Sequence, residues 1–330
     1  MTRRENVILA MRHKETLWLP NNITDCDITL QSAVEERYEG DTEGADEFGT
    51  VYVYTPDSKS PVPKIGVPVV TDWPDWESQA AFPDLDARDW EAAAARDTKG
   101  WDRENRFSIV QLHNGMFERL VRLSTFEDAL CALLEAPDAV LRFFEAYTVY
   151  RIGLIKRIHK YYKPDAIMNF DDFSTDNSMF MSLDTWRTMI KPYLKRTIDA
   201  THECGMFYIL HCCGHVLPMI EDFVELGADA VHPLQISNKP LEIKRKYGDK
   251  LCICGGFDNV GVLDREGVTE QESRVELSRV MAELNEGGSY IAWRPFFCRL
   301  PDIFIDEVKK IALPAMKAHG ANIPEAFRDN

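Results

Sequence analysis

The second half of the chain alternates short, continuously apolar runs with longer amphipathic segments. The apolar runs cover 165–171, 206–213, 228–234, 251–257 and 289–293, and helical patterns follow them at 183–203, up to 226, and at 240–247, 272–286 and 301–319. Within one helical pattern Leu277, Met281 and Leu284 recur at the i, i+4, i+7 spacing of a single helix face. Apolar strands separated by helices predict a parallel sheet covered by helices.

The first half contributes further elements to the same scheme. Residues 107–113 form another strand pattern, a capped helix is expected to end near Glu135, and a long helix is expected over 137–161. Pro192 predicts a kink or break in the helix over 183–203. The first strand of the sheet is expected at 17–21, in the run LWLPN.

The choice between a barrel and an open doubly wound sheet depends on phosphate-binding motifs. A doubly wound sheet usually carries a Gly-rich loop after its first strand, and the chain contains neither GxGxxG nor GxxxxGK[ST]. We therefore predict a (β/α)8 TIM-type barrel that spans 1–330 as a single domain. Residues 23–105, with an acidic run, a Pro-interrupted hairpin pattern and four Trp, are expected to form an elaborated insertion between the first two strands.

The charge and hydropathy of the chain argue against some classes of partner. The 330-residue chain carries 38 Lys and Arg against 54 Asp and Glu, a formal net charge of −16. Such a surface repels phosphate backbones and anionic lipid, so we expect neither a nucleic-acid partner nor a membrane partner. The absence of a long apolar stretch or of a signal-peptide pattern at the start leads us to expect a cytoplasmic protein.

Soft and ionisable side chains lie where the predicted strands end, which is the active end of a parallel barrel. His211 and Cys213 stand two apart on one strand and therefore project from the same face. One imidazole and one thiolate form a ligand pair that Zn²⁺ prefers. The third ligand is expected from another strand, with Cys298 and Cys254 as the candidates. Three protein ligands would leave one position open, as in a catalytic zinc site.

Other strand-end residues are candidates for contact with a substrate. Asp171 and Asp172 are expected to divide their roles, because adjacent residues on a strand point to opposite faces; we expect Asp171 to face the cavity and Asp172 to act as a cap or to contact a loop. His113, Asn114 and His232 are expected to bind the substrate.

Several of these segments resemble the uroporphyrinogen decarboxylase superfamily. The resemblance rests on the runs NFDDFSTDNSMFMSLDTWRTMIKPYLKR and LHCCGHVLPMIEDFVELGADAVHPLQ, with weaker similarity in RRENVILAMRHKE, NGMFERL and CGGFDNVGVLDREGVTEQE. True decarboxylases of the superfamily carry an arginine-rich MRQAGRY-type segment near the N-terminus. The equivalent place here reads LWLPNNITDCD, without Arg, which disfavours a polyanionic porphyrinogen substrate.

The resemblance to the other branch, the cobalamin-dependent methyltransferases, implies a function. That branch binds zinc through His-x-Cys and a distant Cys, matching His211 and Cys213, with Cys298 near the expected place of the last Cys. Its loop is typically Gly-rich, however, whereas RPFFCRLP is not. The implied activity moves a methyl group between a small methylated substrate (a methoxy, methylamine or thiol/thioether compound) and the cobalt of a corrinoid. O-demethylation of an aryl ether is one form of it.

The chain has no DxHxxG-type cobalamin module, so the corrinoid is expected on a separate protein that docks at the barrel mouth. Trp293, Phe296 and Phe297 are expected to form an apolar collar against it. Two alternatives remain open at this point: a metal-free decarboxylase that uses Asp171 or Asp172 as a proton donor, and a non-catalytic tetrapyrrole- or corrinoid-binding protein.

Overall fold

A computed structural model describes residues 1–55, 60–296 and 298–328. Over these residues the strands are β1 (Cys26–Leu30), β2 (Gly44–Ala45), β3 (Val51–Tyr54), β4 (Pro61–Pro63), β5 (Phe107–Leu112), β6 (Ala166–Phe170), β7 (Phe207–His211), β8 (Ala230–His232), β9 (Cys252–Cys254) and β10 (Tyr290–Ile291). The α-helices are α1 (Arg3–Met11), α2 (Trp76–Gln79), α3 (Trp90–Asp97), α4 (Met116–Leu123), α5 (Phe126–Glu135), α6 (Pro137–Tyr161), α7 (Leu183–Met189), α8 (Lys191–Glu203), α9 (Ile220–Leu226), α10 (Pro240–Tyr247), α11 (Glu270–Asn285) and α12 (Asp302–Ala318). Short 3-10 turns lie at Trp73–Asp75, Leu217–Met219, Ile236–Asn238 and Glu325–Phe327.

Seven strands form one parallel sheet in the order β1-β5-β6-β7-β8-β9-β10. The sheet curls on itself, because Asn21 makes a parallel bridge to Ala292, just after β10, and lies five residues before β1. Backbone hydrogen bonds from Ala292 N to Pro20 O (2.9 Å) and from Asn22 N to Ala292 O (3.1 Å) hold this closure. The predicted parallel α/β barrel architecture is confirmed.

The predicted first strand differs from the observed one. Only the bridge at Asn21 remains of the strand expected at 17–21, and the regular strand is β1, inside the range 23–105 that was expected to be an insertion. The side-chain oxygen of Asn21 accepts hydrogen bonds from Ile23 N and Thr24 N, which turns the chain before it can extend. The connection between β1 and β5 therefore begins after Leu30. The rest of the range that was predicted to be an insertion belongs to this long connection.

Inward-facing strand residues fill the barrel, and α1 covers one end of it. Val7, Ala10 and Met11 of α1 pack with buried strand residues such as Phe107 and Ile209 in a single cluster. The Arg4 backbone N–H donates to Asn105 O, just ahead of β5. Helix α1 thus covers the end where the strands begin and leaves the carboxyl ends of the strands as the open mouth.

Most predicted helix boundaries agree with the structure. Helix α6 begins at Pro137, whose missing N–H costs nothing at a first position. The expected break in the helix over 183–203 occurs at Ile190, between α7 and α8, with Pro192 at the start of α8. None of the described helices is both long and apolar enough to cross a lipid bilayer.

The connection between β1 and β5 carries the small antiparallel sheet β2-β3-β4 and is held to the barrel by two buried ion pairs. Arg119 of α4 contacts Asp46 at 3.1 Å with both side chains fully buried. Arg151 of α6 contacts Glu36 at 2.7 Å, also buried. This segment therefore packs as part of the barrel and forms one side of its mouth.

Candidate metal centre

Adjacent strands bring the predicted residues together at the mouth. His113 follows β5, Asp171 and Asp172 follow β6, His211 ends β7 and His232 ends β8. Phe170, His211 and His232 are direct neighbours in the strand register. The carboxyl ends of four consecutive strands thus supply one cluster of side chains.

Three ligand atoms in this cluster lie within 4.8 Å of one another: one each from Asp172, His211 and Cys213. Cys213 Sγ lies 3.4 Å from His211 Nε2, and His211 Nε2 lies 3.9 Å from Asp172 Oδ1. Asp172 Oδ1 also accepts a hydrogen bond of 2.7 Å from the Cys213 backbone N–H, which fixes the carboxylate beside the thiol. The predicted same-face pairing of His211 and Cys213 is therefore observed.

The donor set and its spacing fit a zinc ion. Bond lengths of about 2.0–2.3 Å at a tetrahedral ion place neighbouring ligand atoms about 3.3–3.8 Å apart. The sulfur–nitrogen distance of 3.4 Å matches, and the nitrogen–oxygen distance of 3.9 Å needs only a small closure. Nitrogen, sulfur and carboxylate oxygen are all zinc ligands, and three of them leave a fourth position for a substrate.

Aromatic contacts hold the His211 ring in place. His211 Nδ1 lies 2.7 Å from His232 Nδ1, which leaves Nε2 directed at Cys213 and Asp172. Phe170 stacks on the other side of the His211 ring at 3.8 Å between centroids, and Trp293 packs against His232 at 4.5 Å. A second group that fixes the tautomer and orientation of a histidine is typical of metal-ligating histidines.

Burial sets the protonation of the histidines. It lowers the pKa of His232 to about 3, and together with the neighbouring His232 and His113 it holds the pKa of His211 well below its usual value. Both rings are consequently neutral near pH 7, and a neutral imidazole is the form that binds a metal.

The pKa values of the nearby acidic groups are shifted upward, in the opposite direction to those of the histidines. Burial and the nearby Asp172 raise the pKa of the Cys213 thiol and raise the pKa of Glu118, one turn into α4, to about 7. Burial also raises the pKa of Asp172. A cation bound beside these buried groups would stabilise their ionised forms and so lower their pKa values.

Asp171 and Asp172 lie in different environments, and it is Asp171, not Asp172, that acts as the cap. Asp171 is buried and accepts hydrogen bonds from the backbone N–H groups of Glu118 (2.9 Å) and Phe117 (3.3 Å), so it caps the start of α4. Asp172 faces His211 and Cys213. The difference from the expected assignment follows from the end of β6 at Phe170, after which strand parity no longer fixes side-chain direction.

Neither of the cysteines predicted as the third ligand joins this group of atoms within the described part of the chain. Cys254 is fully buried inside the barrel with Cys252. Cys298 is half-buried and packs against the helix-side core. The ligand atom that lies beside His211 and Cys213 belongs to Asp172 instead, and a role of Cys298 or Cys254 as a ligand stays a prediction.

The predicted substrate-binding residues separate into three environments. His113 is half-buried and packs edge-on against Phe170 at 4.8 Å; burial and nearby Arg37 lower its pKa to about 4. It lines a cavity of about 380 Å³ beside the metal centre, with Gln31, Arg37 and Gln111 among its walls.

Asn114 and His232 have partners within the protein, and their expected contact with a substrate stays a prediction. Asn114 is buried at a φ of 53°, donates to Glu36 O at 2.6 Å and accepts from Arg122 Nε at 3.3 Å. His232 is buried against His211 and Trp293. Asn114 therefore holds the β1–β5 connection, and His232 orients His211.

Of the two collar residues that the structure describes, one is buried and one is exposed. Trp293 is buried against His232, whereas Phe296 is 91% exposed at the mouth. Phe297 lies outside the described residues.

Two further residues, Phe170 and Arg151, support the mouth. Phe170 stacks on His211, and the strand register that pairs the two residues is the signal that could have placed it there. Arg151 connects Glu36 with the carbonyl of His113 (3.0 Å) and the side chain of Asn169. A long-range contact of this kind leaves no local pattern.

Comparisons with known proteins agree with this architecture. None of the curated proteins compared with the chain matches it. Among solved structures, a methyltransferase from Methanosarcina mazei superposes with a TM-score of 0.66 at 14% identity, over 94% of this chain and 99% of that one. A D-psicose 3-epimerase from Clostridium cellulolyticum H10 is much less similar, with a TM-score of 0.34 at 11% identity over 67% of this chain and 84% of that one.

The family comparison covers the site itself. The uroporphyrinogen decarboxylase (URO-D) family model matches residues 113–293, from the end of β5 to the end of β10, which is more than half of the chain. That range contains His113, Asp172, His211 and Cys213. The chain therefore belongs to the uroporphyrinogen decarboxylase family.

Proposed function

We propose that the protein is a zinc-dependent methyltransferase that moves a methyl group between a small methylated substrate and a corrinoid carried by a separate protein. The observation that carries the proposal is the convergence of Asp172, His211 and Cys213 at the open mouth of a URO-D-family barrel. Zinc at these three atoms would supply Lewis-acid activation of the substrate heteroatom. The resemblance to a methyltransferase structure supports the fold of this proposal.

The chain's own residues would bind and orient the substrate. His232 and Phe170 hold the His211 ring so that Nε2 points into the mouth. His113, neutral near pH 7, offers one N–H donor and one acceptor nitrogen to a substrate in the adjoining cavity. That cavity falls in the usual size range of small-molecule pockets.

When the substrate is demethylated, its methyl group would pass from the heteroatom to cobalt. The bond between the methyl carbon and the heteroatom breaks, the heteroatom keeps the electron pair and takes up a proton, and the methyl group bonds to the cobalt of a Co(I) corrinoid, which becomes Co(III). Exposed Phe296 at the mouth would contact the carrier protein or the corrin ring. The substrate class remains a methoxy, methylamine or thiol/thioether compound.

Metal analysis with matched variants tests the site. We expect about one zinc per chain, its loss in Asp172→Ala and Cys213→Ala, and its retention in Cys298→Ala. Cys131→Ala, at an exposed cysteine, serves as the control. Loss of zinc in Cys298→Ala with retention in Asp172→Ala would restore the cysteine predicted from sequence as the third ligand.

An activity screen tests the reaction. Methoxyaryl, methylamine and thiol compounds are incubated with reduced or methylated cobalamin, and the cobalt spectrum is followed. We expect at least one substrate class to change the spectrum with wild-type protein but not with Cys213→Ala. A protein that neither contains nor takes up zinc would contradict the methyltransferase and favour a metal-free decarboxylase. Zinc binding without turnover of any class would favour a non-catalytic corrinoid-binding protein.

A further inference from the structure

The end of the barrel opposite the metal centre contains a cavity of about 520 Å³ with four cationic side chains in its wall. We call it the basic cavity and define it by Arg4, Arg12, Lys160, Lys163, Ile8 and Phe207. Phe207 begins β7 and His211 ends it, so about 13 Å of strand separates the basic cavity from the metal centre. It is therefore not part of the site described above.

The charge balance of the basic cavity is positive, although the chain as a whole carries −16. Asp165 is the one carboxylate among its lining residues, and this group is already engaged. It accepts hydrogen bonds from Arg4 Nε at 3.0 Å and from the backbone N–H and hydroxyl of Ser108 at 2.9 and 3.1 Å. Asp165 thus neutralises Arg4 and leaves the other three cations.

Two of those cations have no partner among the described residues. The side chains of Arg12 and Lys163 make no hydrogen bond or ion pair there, whereas Lys160 Nζ donates to Tyr161 Oη at 2.9 Å. Lys160 also lies in the last turn of α6, where a basic residue stabilises the helix end. Arg12 is the C-cap residue of α1 and Lys163 directly follows the C-cap of α6, so the same helix-end effect reaches both, but neither charged group has a side-chain partner among the described residues.

Lys163 occupies a backbone position that suits glycine better. Its φ is 50°, in the left-handed region where a side chain is strained. The side chain is exposed at the rim of the cavity. The backbone therefore does not require a lysine at this position, and glycine can replace it without strain.

The remaining lining restricts the kind of anion. Ile8, Met206 and Phe207 form an apolar part of the wall next to the cations. The volume is larger than inorganic phosphate needs and lies in the range of small-molecule pockets. A phosphoryl group accepts several donors at once from Arg and Lys, while the apolar wall accommodates the rest of the molecule.

We propose that the basic cavity binds a small phosphorylated metabolite through Arg12 and Lys163. The phosphate would lie between these two side chains, and the organic part would contact Ile8 and Phe207. Recognition does not depend on the proposed methyl transfer, so either proposal can fail without the other.

Calorimetric titration of the full chain with ADP, inorganic phosphate and adenosine tests the proposal. We expect saturable binding of ADP, weaker binding of phosphate, no binding of adenosine, and weaker ADP binding at higher salt. Lys163→Gly should raise the Kd for ADP about 10–100-fold, the effect of losing one charge-assisted hydrogen bond. Because glycine relieves the strained backbone, this variant should melt no lower than the wild type.

Lys239→Gly is the matched control. Lys239 is also an exposed lysine at positive φ (56°), but it lies outside the basic cavity. It should leave the Kd unchanged. Arg12→Gln should weaken ADP binding without any change of backbone strain. Absence of saturable ADP and phosphate binding, equal binding of adenosine, or wild-type affinity in both Lys163→Gly and Arg12→Gln would overturn the proposal.

Discussion

The ion pair between Arg119 and Asp46 gives the sharpest test of how the β1–β5 connection is attached. Arg119 Nη1 lies 3.1 Å from Asp46 Oδ2, its Nη2 donates to Glu36 O at 2.6 Å, and its guanidinium lies 3.7 Å from the Phe48 ring centroid. Asp46 also accepts from the backbone N–H groups of Phe48 and Thr50 at 3.0 and 2.9 Å. Arg119→Met keeps the apolar stem and removes the charge.

The expected cost follows from what the substitution leaves behind. Asp46 would keep its backbone donors but lose its counter-charge at zero exposure, and breaking a buried pair in this way costs about 3–5 kcal/mol. Asp46→Asn should also destabilise, because it leaves the Arg119 charge unpaired. The double variant should cost about 2 kcal/mol less than the sum of the two single variants, since neither charge then remains buried alone.

Urea unfolding followed by circular dichroism and by tryptophan fluorescence measures these free energies. Trp73, Trp76 and Trp90 lie in the connection, so fluorescence is weighted toward that segment. Both signals should shift together, because the segment and the barrel share buried contacts. A cost below about 1 kcal/mol for Arg119→Met, or additive costs in the double variant, would refute the reasoning.

Three further predictions concern other parts of the molecule. His232→Phe keeps the ring that packs on Trp293 but removes the atom 2.7 Å from His211 Nδ1, so zinc affinity measured by chelator competition should fall about 10–100-fold; unchanged affinity would remove the orienting role. Asp171→Ala leaves two N–H groups at the start of α4 without their acceptor and should lower the free energy of unfolding by about 1–3 kcal/mol, while zinc content, measured by elemental analysis, stays at the wild-type value. Burial alone would raise the pKa of Asp222, but hydrogen bonds from Arg187 and Lys191 outweigh it and lower the pKa. A carboxyl whose folded pKa is lowered stabilises the fold above its unfolded pKa and loses that contribution as pH falls. The stability difference between wild type and Asp222→Asn should therefore be largest near neutral pH and shrink below about pH 4; a difference independent of pH would contradict it.

The sequence predicts the elements of this barrel well, because strand and helix patterns are local. The β6 to β10 strands are short apolar runs, and the helix boundaries at Pro137 and near Pro192 follow from the missing N–H of proline. Strand β1 was missed because CDITL follows a polar turn and is followed by a long connection. Its pairing with β5 is a contact across about 80 residues, for which the chain carries no local signal.

The metal centre shows the same limit at the level of side chains. His211 and Cys213 could be paired from strand parity, since both belong to one short segment. The proximity of Asp172 to them could not be predicted, because it depends on the direction of the turn after β6, just as the position of Cys298 depends on the loop after β10. Which of two adjacent carboxylates caps α4 is likewise decided by the position of the helix and not by the pattern.

The closure between Asn21 and Ala292 has a consequence for biosynthesis. The two hydrogen bonds that complete the ring join two segments that lie about 270 residues apart in the chain. At about 5–20 residues per second, roughly 15–55 s separate the synthesis of the two sides. During that time the nascent sheet must keep an open edge, where another chain could add a strand. Closure of the barrel should therefore wait until the segment around Ala292 has been made.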